Sequence, residues 1–88
     1  MADKHQSVGE LYKAKAIVDD DVAKAVDAYM ADPKTGLHPL GDAYQLDLAA
    51  TVEGHPWAKA EVGRADASEN LKRHAVRTAI LLAYPKKR

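Results

Sequence analysis

Four histidines, His5, His38, His55 and His74, are the side chains best suited to hold a metal or move a proton near neutral pH. A metal-binding pair on a helix sits at i,i+3 or i,i+4, and none of the four is so spaced. They read as turn caps or surface residues, and no metal site is expected. The chain has no cysteine, which excludes disulfides, thiolate zinc, iron–sulfur ligation and a cysteine nucleophile. Its only serines, Ser7 and Ser68, stand where helix N-caps belong, which leaves none for a hydrolytic triad. Asp19-Asp20-Asp21 would attract a divalent cation only loosely, because successive helical side chains diverge by roughly 100° and do not converge on one ion. No phosphate loop, dinucleotide fingerprint, nucleophile elbow, HExxH string or EF-hand loop is present. Independent catalysis and a bound cofactor are therefore not expected. A haem held by tyrosine or histidine in an oligomer is the cofactor-binding alternative.

The most suggestive chemistry is basic. Arg73 and Arg77 lie one helical turn apart, and with Lys72 and the tail Lys86-Lys87-Arg88 they could grip phosphates. This is the basis of a nucleic-acid-binding reading. Glu69, one turn before Arg73, works against it, and so does the absence of a helix-turn-helix spacing.

The elements that must position these groups read as helices. Alanine is abundant, phenylalanine is absent and strand-type alternation is scarce. Ser7-Val8-Gly9-Glu10 is a capping box. Apolar residues then recur at Val8, Leu11, Val18, Val22, Ala25 and Tyr29, which predicts one amphipathic helix over 7–31, ended by Asp32-Pro33. The aspartate triplet favours N-caps over helix interiors and offers the alternative of two shorter helices. Residues 33–41 form a turn-rich connection. Leu40, Tyr44 and Leu48 make a stripe that predicts a second helix from Pro39 or Asp42 to Glu53, capped by Gly54. His55-Pro56-Trp57 opens a third helix that Gly63 closes. A last helix, about 67–84, starts from Asp66-Ala67-Ser68-Glu69 and stops at Pro85. The expected fold class is thus all-α: one domain over 1–88, a bundle of three to four helices with a long N-terminal helix, an apolar C-terminal helix and a basic tail at 85–88. Val8, Leu11, Val18, Val22, Tyr29, Leu40, Tyr44, Leu48, Trp57, Leu71, Ala75, Ala79 and Leu82 are the expected core.

The last helix carries the functional expectation. Its face of Leu71, Ala75, Thr78, Ala79 and Leu82 opposes Arg73 and Arg77, but beyond Arg77 the polar side thins as Ile80 and Leu81 enter it. A helix that is apolar all round must be covered on every side. In so short a chain this points to a second chain against Val76, Ala79, Ile80, Leu81, Leu82, Ala83 and Tyr84, although the N-terminal helix folding back would also serve. The expected function is a non-catalytic interaction or structural protein, working as a homo-oligomer or an accessory subunit.

Length and charge fit that expectation. The 88 residues bury about 63% of their extended surface by area scaling, enough for one modest core. The N-terminus lacks the apolar segment of a secretory signal, and the apolar run 79–84 is far short of the ~20 residues of a membrane span. A cytoplasmic, membrane-free protein is expected. The 13 basic and 13 acidic side chains balance, but residues 1–44 carry a net −3 and residues 45–88 a net +3, with +5 in the last 25. Such a split suits acidic and basic elements packed together, within one fold or between subunits, better than a dedicated polyanion binder.

Overall fold

Local capping sets most of the element boundaries. The computed structural model describes residues 6–41 and 43–87. The first helix, α1 (Val8–Lys13), begins at the capping box: the Ser7 hydroxyl accepts from the Glu10 N–H at 3.2 Å, and the Glu10 carboxylate accepts from the Ser7 N–H at 2.8 Å. It ends after six residues in a Schellman motif. The Lys15 N–H donates to the Tyr12 carbonyl at 3.0 Å and the Ala16 N–H to the Leu11 carbonyl at 2.9 Å, with Lys15 itself left-handed at φ 67°.

The single helix expected over 7–31 is therefore two. Helix α2 (Asp19–Ala31) starts afresh, with all three aspartates in its first turn, where the helix dipole favours them. The Asp21 carboxylate accepts from the Val18 N–H at 3.1 Å. The apolar spacing runs on in the sequence through residues 14–18, which form a loop between the two helices. The loop nonetheless rotates the chain: Ile17, off the stripe, is fully buried, and Val18, on it, is half exposed.

The all-α expectation fails in the middle of the chain. Strands β1 (Leu37–Leu40) and β2 (Tyr44–Asp47) form an antiparallel hairpin around Gly41, whose φ of 72° suits glycine. Strand β3 (Lys86–Lys87) adds to the other side of β2, giving a three-stranded antiparallel sheet in the order β1-β2-β3. The molecule is mixed α/β, and the basic tail is partly a strand. The helix expected from Pro39 or Asp42 shrinks to α3 (Leu48–Glu53), capped by Asp47, whose Oδ1 accepts from the Ala50 N–H at 3.0 Å, and ended by Gly54. The misleading stripe has a simple cause: residues four apart share a helix face, but Leu40 and Tyr44 are also direct partners across this hairpin.

The Leu48 N–H donates to the Gly36 carbonyl at 3.2 Å, extending the ladder by one pair. Hydrogen-bonded pairs alternate along an antiparallel ladder, so Pro39 and Gln45 form a non-bonded pair, and Pro39 turns its missing N–H to the outer edge of β1. One sheet face carries His38, Leu40, Tyr44 and Leu46 toward the core, and the other carries Leu37, Pro39, Gln45, Asp47 and Lys86.

The last two helices start and stop close to expectation. Helix α4 (Pro56–Val62) has His55 as N-cap, its Nδ1 accepting from the Ala58 N–H at 3.1 Å, and Gly63 at its end. Helix α5 (Glu69–Leu82) has Ser68 as N-cap, accepting from the Leu71 N–H at 3.1 Å. It is the centre of the molecule, packed against α1, α2, α3 and α4. The core includes Val8, Leu11, Val22, Tyr29, Leu40, Leu48, Ala75 and Ala79 as expected, together with Ile17, Val26, Leu46, Val52, Ala58, Val76 and Ile80. Val18, Trp57 and Leu82 are instead exposed, and Tyr44 and Leu71 are only half-buried.

Candidate interaction groove

The apolar side of α5 that called for a second chain is covered largely by its own. Val76, Ala79 and Ile80 are buried. Helix α1 folds back onto the end of α5, where the Val8 N–H donates to the Ala83 carbonyl at 2.8 Å. Gly9 makes the approach close, since a Cβ there would lie 3.1 Å from the Leu81 carbonyl oxygen. Leu81 and Ala83 are half-buried, while Leu82 and Tyr84 remain more than half exposed.

The same end of α5 borders a groove of about 470 Å³. Leu37, Gln45, Asp47 and Lys86 supply its sheet wall, Ala50 and Thr51 its α3 wall, and Ala83 and Tyr84 the segment leaving α5, with Leu46 below. Its rim is apolar, with Leu37 59% and Tyr84 62% exposed. Two charges face it. Asp47 spends one carboxylate oxygen on the α3 cap, and Lys86 has no ion-pair partner among the described residues. Sequence reasoning missed the sheet and α3 walls. The alternation Tyr44-Gln45-Leu46-Asp47 behind the Gly41 turn was the available signal.

Among the described residues, the basic side chains lie on separate elements and faces. Arg73 pairs with Asp27, and Arg77 with Asp19 at 3.1 Å, so the acidic α2 neutralises the basic α5 within one fold. Lys72 lies beside Tyr29 and Val62 on another side, and Lys86 and Lys87 are on β3. Arg88 lies outside the described residues, as does His5.

The remaining histidines stay apart. His38 borders a hollow with Asp21, Lys24, Pro39 and Gly41, and burial pulls its pKa below the usual 6.5. His55 and His74 each stand edge-on to Trp57, with ring centres 6.2 Å away. Among the described residues no three of His, Asp and Glu lie close enough together to hold a metal ion. Elsewhere, Tyr29 is raised above its usual pKa by burial and by the charge of Glu53. The hydrogen bond from Arg64 holds Asp66 below the ordinary carboxylate range.

No helix among the described residues is long and apolar enough to cross a membrane. The fold and groove define a small α/β module built around one central helix. No protein-family model matches the chain, and no characterised protein or solved structure shows significant similarity to it.

Proposed function

We propose that this chain is a small interaction protein that engages a protein partner through the groove between the outer sheet face, α3 and the end of α5. The observation that carries this reading is the pair of large apolar side chains, Leu37 and Tyr84, held mostly in solvent on either side of an apolar concavity. Exposed aromatic side chains such as Tyr84 are favoured anchors for association. The ion pairs Arg73–Asp27 and Arg77–Asp19 weigh against the nucleic-acid reading, because its two helical arginines are already engaged.

The test is site-directed photo-crosslinking in the native cell. Benzoylphenylalanine in place of Tyr84 is expected to trap a discrete protein adduct, while the same group in place of the exposed Lys24 on α2 traps none. An adduct from neither position, or equally from both, overturns the reading.

A further inference from the structure

The groove carries both signs of charge on one face, which bears on what can fill it. Gln45 pairs with Lys86 across β2 and β3, and Asp47 lies two residues along β2 on the same side. Lys86 has no ion-pair partner among the described residues, and the second carboxylate oxygen of Asp47 accepts no hydrogen bond from them. An acidic partner would meet Asp47 and a basic one would meet Lys86, so a strongly charged ligand of either sign is disfavoured at one end. A surface that is itself neutral, apolar at the rim and charged +1 and −1 is met on both counts by another such surface.

Resting on the reading of the groove as an interaction site, we infer that its occupant is a second copy of this chain, docked groove to groove about a two-fold axis. In an isologous contact each residue meets its counterpart's partner. Lys86 of each copy then faces Asp47 of the other, and Leu37 and Tyr84 of each fill the apolar concavity opposite. The contact leaves the core untouched, since Val76, Ala79 and Ile80 are already covered within the monomer. It also spares Arg73 and Arg77, which stay paired to α2.

Light scattering on the full chain from 5 to about 500 µM reads this directly. The mass is expected to rise with concentration from 9.6 kDa to twice that value. Lys86→Glu sets acid against acid twice and should raise the dimer Kd at least tenfold, and Asp47→Lys sets base against base and should do the same. Mixing the two variants restores both attractions in a heterodimer, with a mass near twice the monomer from two chains that fail alone. Because Asp47 also caps α3, circular dichroism must first show that variant folded. Should it not be, Tyr84→Asp takes its place, with the expected outcome a loss of dimer at unchanged helix content. A wild-type mass that stays monomeric throughout overturns the proposal, as does a dimer indifferent to Lys86→Glu. A monomer whose position 84 still crosslinks a different protein overturns the second copy while leaving the groove as the interaction site. A monomer that crosslinks nothing removes both.

Discussion

Single side chains set the breaks in this fold, and the clearest is Lys15. Its left-handed backbone ends α1 in a conformation that disfavours any residue with a Cβ. Lys15→Gly should stabilise the protein by about 0.5–1 kcal/mol, read as a higher urea midpoint at unchanged slope, because relief of that strain outweighs glycine's entropy. His38 makes a prediction about pH. Its folded pKa lies below 6.5, so the unfolded chain takes up the proton first. The associated stability is present above about pH 6.5 and is lost as pH falls from there toward the folded value. His38→Gln should therefore show a smaller drop in urea midpoint than the wild type between pH 7.5 and 5.5. An equal drop would assign the acid sensitivity elsewhere.

At the scale of elements, the caps were legible and the pairings were not. Ser7, Gly54, His55-Pro56, Gly63 and Ser68 each act within four residues, so the local sequence determines what they do. Strands of four, four and two residues depend on partners across a turn or, for β3, some forty residues away, and the Leu40-Tyr44-Leu48 spacing serves a helix equally well. The groove was hidden for the same reason: half of its wall exists only once β2 lies beside β1 and β3. The docking of α1 on α5 is the element contact most exposed to a single change. Gly9→Val must push against the Leu81 carbonyl, 3.1 Å from the first added carbon. Loss of about 1–3 kcal/mol is expected, seen first as faster hydrogen exchange of the α1 amides. Unchanged protection would show that α1 shifts without cost.

For the whole molecule, α5 packs against the other four helices, so the chain is expected to unfold as one cooperative unit. Stability at this length is roughly 4–13 kcal/mol, and truncating a fully buried aliphatic side chain costs about 2–5 kcal/mol. Ile80→Ala, which truncates a fully buried side chain of α5, should lower the melting temperature by well over 10 °C while keeping a single transition. Two separate transitions would mean that the sheet and the helices unfold independently. The same burial decides which substitutions can probe association. Ile80→Asp would unfold the chain, whereas Leu82→Asp changes an exposed side chain and leaves the core alone. The charge split between the halves, net −3 and +3, is in part spent inside the monomer through Asp27–Arg73 and Asp19–Arg77. Arg73→Ala is accordingly expected to cost less than about 1 kcal/mol, as exposed pairs do.

The proline on β1 has a kinetic side as well. A short antiparallel sheet with two open margins can in principle seed a fibre, each new chain laying a strand on the last. Pro39 offers such a chain no donor at the middle of the outer margin, and the opposite margin is only two lysines long. Pro39→Val would supply the missing donor while retaining an aliphatic side chain. Thioflavin fluorescence at high concentration should then rise after a shorter lag than in the wild type, with no matching change in melting temperature. On that view the proline governs how long a concentrated solution stays clear, which the equilibrium stability of the fold does not report.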